Sequence, residues 1–260
     1  MLGGLGVVAA GCSTGGGGSA ATATTKGASA TSTTLGASTT TTTTVAPAAA
    51  ITTCSTIPEE TAGPYPGDGS NGPDVLTQAG VVRRDITSSF GSANGVAVGV
   101  PLTFSFTVVD TATGCKPMTG AAVYAWHCDR DGNYSMYSSA ASHQNYLRGV
   151  QEVDANGVAT FTSIFPGAYA GRWPHIHFEV YPSVAAATNG GSKLATSQIA
   201  LPKTACDAVY ATAGYEASVG NLASTSLARD NVFSDGASLE TPSITGTVGS
   251  GFVSSLVVGV

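Results

Sequence analysis

The sequence predicts an all-β fold, a β-sandwich of short, mostly antiparallel strands with long loops and little helix. Several short stretches alternate apolar and polar residues or are continuously apolar, Gly-rich turns separate them, and only one stretch suits a helix. Alternation is typical of a strand with one buried face, because successive side chains point to opposite sides of a sheet.

The first three predicted strands follow one another through clear turn signals. PLTFSFTVVD (101–110) alternates large apolar residues, and the turn TATGCKPMTG leads into AAVYAWHC (121–128). The turn DRDGN ends this second strand, and DANG introduces the third strand, GVATFTSIF (157–165). Gly and Asp in these turns favour the tight backbone conformations that connect neighbouring strands.

The second half of the chain contributes three more strands and one helix. HIHFEVY (175–181) and TSQIAL (196–201) are predicted strands, and GFVSSLVVGV (251–260) is interpreted as a closing strand. ACDAVYATAGY (205–215) is the one plausible short helix. No internal repeat is visible in this part of the chain.

Composition divides the 260 residues into three regions. Residues 1–12 are interpreted as a signal or lipobox-like leader, and residues 13–53 as a Gly/Ser/Thr-rich disordered linker, since such a stretch buries too little apolar surface to fold. Residues 54–260 are predicted to form the β-sandwich domain. The net charge of −6 and the scattering of ten Lys and Arg residues exclude a nucleic-acid-binding class. The sequence contains no apolar run of about 20 residues, so no transmembrane helix is expected.

The cysteines and the leader both suggest export. AAGC at residues 9–12 resembles the bacterial lipobox, in which the Cys is lipidated, although no Lys or Arg precedes Cys12; a chance Cys in a small-residue leader is the alternative. We therefore expect an exported protein, either a cell-surface lipoprotein or a secreted one. The other four cysteines suggest two disulfides, with the pairing of Cys115 with Cys128 least favoured and buried free thiols as the alternative. The other two of these four cysteines are Cys54 and Cys206.

Two of the four histidines, His175 and His177, stand two residues apart on a predicted strand. Residues with this spacing project from the same face, so both rings can reach one ion. The pair alone does not name the metal, since Zn, Cu, Ni and Fe all accept imidazole. Tyr134 and Tyr169 lie nearby in sequence, and a phenolate is a suitable ligand for the hard ferric ion. A pair of solvent-facing histidines is the alternative.

Longer motifs around these residues resemble one family. VYAWHCDRDGNYSMY, LRGVQEVDANGVATFTSIFPGAYAGRWPHIHF and TSQIAL are similar to the intradiol ring-cleavage dioxygenases, which include the catechol and protocatechuate dioxygenases. CSTIPEETAGPYP resembles the family's start and LARDNVFSDG its closing region. The resemblance covers roughly residues 54–240.

The resemblance implies a site and a reaction. One non-haem Fe(III) per chain would be bound by Tyr134, Tyr169, His175 and His177, with Tyr169 released when substrate binds. The implied reaction cleaves a catechol ring with O2 between its two hydroxylated carbons and yields a cis,cis-muconate-type diacid. Further site residues implied by position are Arg172, which would stabilise charge on the ring, Gln198 at the pocket wall and Tyr65 at the pocket mouth.

Some features leave alternatives open. Only five residues separate Tyr169 from His175, which implies a more open pocket than in the catabolic enzymes. His127 is interpreted as strand-end packing and His143 as a loop residue. A non-catalytic surface-anchored binding module, or an enzyme that uses the two histidines for another metal, is the alternative function. Homo-oligomers are common in the family, and we place the metal site in a pocket between the sheets.

Overall fold

Two β-sheets pack face to face in the structure, a computed structural model that describes residues 15–18 and 51–260. The all-β class predicted from the sequence is confirmed. The predicted leader with Cys12, and most of the predicted linker, lie outside the described residues, so both remain predictions. Within the described part, no helix is long and apolar enough to cross a membrane.

The first sheet is built around β1 (Pro101–Asp110). One edge of β1 pairs antiparallel with β2 (Lys116–Pro117) and β5 (Val158–Ile164), and the other pairs parallel with β9 (Gly251–Gly259). β8 (Ser243–Thr247) completes the sheet beside β9.

The second sheet has the order β4 (Arg148–Glu152), β3 (Ala122–Trp126), β6 (His175–Tyr181) and β7 (Ala195–Ala200), with every pair antiparallel. The register places Trp126 and Gln198 on either side of His177. Side chains at these three positions therefore share one face of the sheet.

All six predicted strands are present in the structure. The sequence analysis missed β2, β4 and β8. The predicted helix corresponds to α2 (Lys203–Tyr210), which ends earlier than expected, while α1 (Val184–Thr188) and α3 (Glu216–Ala223) were not predicted. β4 was missed because its sequence, RGVQE, is polar at both ends and lacks the apolar alternation of a strand, although Arg148 is fully buried.

Every side chain of β6 is buried, because each face of the second sheet has its own cover. Ile176 and Phe178 point into the core between the sheets. His175 and His177 point the other way, and the neighbouring Trp126 belongs to a second apolar cluster on the outer face. The placement of the metal site between the sheets is therefore wrong.

The outer face is covered by the chain that precedes β1, which we call the covering segment (residues 54–100). Its Ala62, Tyr65, Val75 and Leu76 pack in the same apolar cluster as Trp126. Burial of this kind contributes about 25 cal/mol per Å² of apolar surface, so the segment is held as firmly as a core element. The histidine face of the second sheet is therefore covered rather than exposed to solvent.

One disulfide, between Cys54 and Cys115, ties the start of the covering segment to the turn after β1. Cys128 and Cys206 are free and buried, so the expectation of two disulfides is wrong. Each thiol lies instead near a backbone carbonyl, that of Gly167 for Cys128 and that of Leu201 for Cys206. Burial raises the pKa of Cys206 to about 12, which makes it an inert thiol.

Glu240 gives the fold a pH-dependent stability. Its side chain is fully buried, and neither carboxylate oxygen has a hydrogen-bond partner among the described residues. Burial, together with the negative charges of Glu60 and Asp235, raises its pKa to about 8. Between pH 4.5 and about 8 the folded protein keeps a proton that the unfolded chain has lost, so stability falls as pH rises through this range.

We predict that Glu240→Gln removes this part of the pH dependence. Free energies of unfolding from urea titrations at pH 5 to 9 should decline less steeply for the variant than for the unaltered protein. Glu152→Gln, at an exposed strand end, is the control and should leave the slope unchanged. Equal slopes for Glu240→Gln and the unaltered protein would contradict the assignment.

Candidate metal centre

Four polar side-chain atoms converge on one point at the covered face. Tyr134 Oη lies 3.4 Å from Tyr169 Oη and 3.3 Å from His175 Nε2. His175 Nε2 also lies 3.1 Å from Tyr169 Oη and 3.1 Å from His177 Nε2. The structure therefore brings together all four residues that the resemblance implies as metal ligands.

The histidine rings are held by groups on the backbone and on the neighbouring strand. His175 Nδ1 donates to the carbonyl of Trp173 at 2.5 Å, which leaves the lone pair of Nε2 pointing at the cluster. The His177 ring stacks on Trp126, with 4.9 Å between centroids and 5° between planes. Gly63 of the covering segment passes over this ring, where a Cβ would meet His177 Cε1 at 3.2 Å.

A tight turn after β3 presents Tyr134. The carboxylate of Asp129 accepts hydrogen bonds from the backbone N–H groups of Asp131 and Asn133 through Oδ1, and from the Tyr146 hydroxyl through Oδ2. Gly132 in this turn has φ +86°, a conformation that favours glycine. The DRDGN turn thus fixes the position of Tyr134, which directly follows it.

Tyr169 depends on a helix that the sequence analysis missed. The preceding residue, Ala168, donates its N–H to Ser218 Oγ and accepts a hydrogen bond from Asn221 Nδ2, and both partners lie on α3. The five-residue loop to His175 is thereby anchored at its start. The short loop still allows Tyr169 to reach the cluster.

Burial sets the protonation of all four side chains. It raises the pKa of Tyr169 to about 12, and it raises that of Tyr134 well above the ordinary value, with the neighbouring Tyr169 adding to the shift. Burial, together with the charge of Arg172, lowers the pKa of His175 to about 3. The imidazoles are therefore neutral and ready to bind a metal, whereas the phenols need a strongly charged cation to lose their protons.

The donor set fits a single bound cation. Atoms bound about 2.0–2.1 Å from one ion lie roughly 3 Å apart, which matches the distances between these four atoms. The one lone pair of His175 Nε2 faces two hydroxyls and a second ring nitrogen, and a shared cation satisfies all of them better than hydrogen bonds can. Among the described residues, no group of three or more His, Cys, Asp and Glu could hold a metal ion.

Arg172 lies beside the cluster and is held from two sides. Its Nε donates to Asp230 Oδ2 at 2.9 Å, and its Nη2 donates to Gln198 Oε1 at 2.7 Å. Gln198 in turn donates to the carbonyl of Thr61 in the covering segment. The half-buried Tyr65 stacks against Tyr134 with 4.7 Å between ring centroids. All three residues implied to line the pocket are thus at or next to the cluster.

Asp230 was missed by the sequence analysis, although it lies in the LARDNVFSDG stretch that carries part of the resemblance. Its side chain is fully buried, which the sequence pattern around it does not indicate. The other two histidines stay away from the cluster. His127 is buried against Ser163 Oγ and the Cys128 carbonyl, and His143 is exposed in a turn.

Comparisons with known proteins agree with this site. A family model described as Dioxygenase matches residues 71–188, which include both tyrosines and both histidines. A crystal structure of an intradiol ring-cleavage dioxygenase from Tetranychus urticae aligns with a TM-score of 0.61 and 25% identity, covering 79% of this chain and 94% of that one. The chain is therefore similar in sequence and in fold to the intradiol ring-cleavage dioxygenases.

Two further matches are to other dioxygenases. The chlorocatechol 1,2-dioxygenase of Rhodococcus opacus is 39% identical over 71 residues, and this match spans 27% of each chain. The dioxygenase domain of a carbohydrate-binding fusion protein from Streptomyces sp. SirexAA-E aligns with a TM-score of 0.50 and 23% identity, covering 79% of this chain and 98% of that one. The second match shows the shared fold.

We predict that Asp129→Ala destabilises the protein by about 2–3 kcal/mol, because it leaves buried N–H and O–H donors unsatisfied. Asp154→Ala is a matched control, since Asp154 accepts the equivalent hydrogen bonds from Asn156 and Val158 in an exposed turn. We expect the control to cost about 1 kcal/mol or less, because water replaces the lost acceptor. If urea titrations gave the same loss of unfolding free energy for both variants, the prediction would be contradicted.

Proposed function

We propose that the protein is a non-haem Fe(III)-dependent dioxygenase that cleaves a catechol-type ring with O2 between its two hydroxylated carbons. The product would be a cis,cis-muconate-type diacid. The observation that supports this most strongly is the cluster at His175 Nε2, which lies 3.1–3.3 Å from Tyr134 Oη, Tyr169 Oη and His177 Nε2. Similarity to the intradiol ring-cleavage dioxygenases supports the reaction class.

The donor set favours ferric iron over other metals. A phenol has an ordinary pKa near 10, and burial raises the pKa of both tyrosines further. Only a hard, highly charged ion offsets that cost by binding the phenolates, and two phenolates with two neutral imidazoles leave one positive charge of Fe(III) for further anionic ligands. A ferric ion held by these four residues would supply a Lewis acid that a catecholate can chelate through both oxygens and that draws electron density from the ring.

The protein's own residues would then handle protons and charge. We assign to Tyr169, the more exposed of the two phenols, the role of accepting one proton from a substrate hydroxyl as it is released. Tyr134 is buried beneath it and would remain a ligand. Arg172 would stabilise negative charge that develops on the ring, Gln198 would orient the substrate, and Tyr65 would form part of the pocket wall.

The pairing of Arg172 bears on the substrate. Its positive charge is already matched by the buried carboxylate of Asp230 at 2.9 Å. A ring carboxylate would therefore find no uncompensated charge on Arg172. We propose catechol and its uncharged derivatives as the first substrates to test, with protocatechuate as the carboxylated comparison.

Two other functions have less support. A binding module has no need for four buried metal-ligating groups together with a held arginine. A copper or zinc enzyme would use the two histidines without the phenols, whereas both phenol oxygens lie within 3.4 Å of His175 Nε2.

We also propose that the protein is exported. A disulfide between Cys54 and Cys115 suits an oxidising compartment, which supports this location. A lipid anchor at Cys12 and a homo-oligomeric state remain proposals that rest on the leader sequence and on the family.

The proposal predicts one Fe(III) per chain, a visible phenolate-to-iron absorption band and catechol-dependent O2 consumption. His175→Ala and Tyr134→Phe should each lose both the band and the O2 consumption, because each removes a ligand. His143→Ala, in an exposed turn, is the control and should retain both. Full iron occupancy in a colourless protein would refute the ligand assignment, and a coloured iron protein that consumes no O2 with any catechol would refute the activity.

A further inference from the structure

We propose that Asp230 is a positioning residue that fixes the orientation of Arg172 at the reacting ring, an inference that rests on the proposed function. Asp230 Oδ2 accepts hydrogen bonds from Arg172 Nε at 2.9 Å and from the backbone N–H of Trp173 at 2.6 Å. Its side chain is fully buried, while that of Arg172 is 14% exposed. The carboxylate thus holds the guanidinium through Nε, and Nη2 of the same group is bound to Gln198 Oε1.

The other oxygen of Asp230 anchors the carboxylate to its own segment. Oδ1 accepts from the N–H groups of Val232 and Phe233, and the Phe233 ring lies 5.9 Å from the Arg172 guanidinium carbon. Asp230 therefore accepts four N–H donors in all. This segment, which lies after α3, is linked through Asp230 to the loop between Tyr169 and His175.

The remaining contacts of Arg172 leave it one orientation. Its Nη2 donates to Gln198 Oε1, and Gln198 Nε2 donates to the Thr61 carbonyl, so the guanidinium is held at Nη2 as well as at Nε. A free arginine side chain carries about 2 kcal/mol of rotamer entropy. Fixing it in advance removes that cost from the step in which charge develops on the ring.

An acid is required at this position, because an amide cannot replace it. Whichever way Asn is turned, its NH2 group meets two of the four N–H donors and leaves them without an acceptor. The Asp230 charge also stabilises the guanidinium in a buried site. Arg172 would consequently act through oriented N–H groups rather than as an unpaired charge.

Asp230 has a second link to the site. The N–H of Trp173 donates to Asp230, and the carbonyl of the same residue accepts from His175 Nδ1. One carboxylate therefore holds the peptide that orients a metal-ligating histidine as well as the neighbouring arginine. For this reason the test must separate an effect through Arg172 from a general loss of order.

A double-mutant cycle makes that separation. Iron-loaded Asp230→Asn should lower kcat for catechol by about 10- to 100-fold with a smaller change in KM, the range expected when a residue that orients an active group is lost. In the Arg172→Ala background the same change should lower kcat by no more than about threefold, because the group that it orients is absent. Asp235→Asn, an exposed acid in the next turn, is the control and should leave kcat unchanged.

Thermal unfolding of the metal-free proteins provides a readout that is independent of catalysis. Asp230→Asn should lower the midpoint more in the Arg172 background than in Arg172→Ala. If Asp230→Asn lowers kcat by the same factor in both backgrounds while the unaltered protein is active, Asp230 is structural and the inference is wrong. An unaltered protein that cleaves no catechol would instead refute the proposed function itself.

Discussion

Residues two apart on a β-strand share a face, and this constraint places His175 and His177 side by side on β6. The same alternation sends Ile176 and Phe178 into the core between the sheets, which locks the strand from behind. Because the histidine face would otherwise be open to water, the site requires the covering segment. Enclosure then gives the two imidazoles and two phenols the low dielectric in which their interaction with a cation is strong.

Enclosure also imposes a cost, since every buried polar group around the cluster needs a partner. Asp129 accepts backbone hydrogen bonds from the turn that presents Tyr134, and Asp230 accepts one from the backbone of the loop that carries Arg172. Arg148 links the covering segment to that same turn, because its guanidinium donates to the carbonyl of Pro66 and to Ser135 Oγ. The turn that presents Tyr134 and the loop that precedes His175 are therefore held by hydrogen bonds, whereas the His177 ring is held by its stacking on Trp126.

Local patterns in the sequence predicted much of the fold and the shared face of the two histidines, whereas the full ligand set came from the family resemblance. Strands such as PLTFSFTVVD alternate cleanly because one face is buried and one is not, and the two histidines are close in sequence. The strand β4 and the residue Asp230 were missed because their roles arise from contacts distant in sequence, such as the 58-residue separation between Arg172 and Asp230. The position of the site on the outer face likewise depends on what covers the sheet, which periodicity does not reveal.

The account's central claim is that one iron ion is bound by two phenol oxygens and two imidazole nitrogens. Anomalous X-ray diffraction at the iron absorption edge, from crystals of the iron-loaded protein, tests it most directly. The account predicts a single anomalous peak within about 2.0–2.3 Å of Tyr134 Oη, Tyr169 Oη, His175 Nε2 and His177 Nε2. A peak elsewhere, or one that touches the histidines but neither tyrosine, would contradict it.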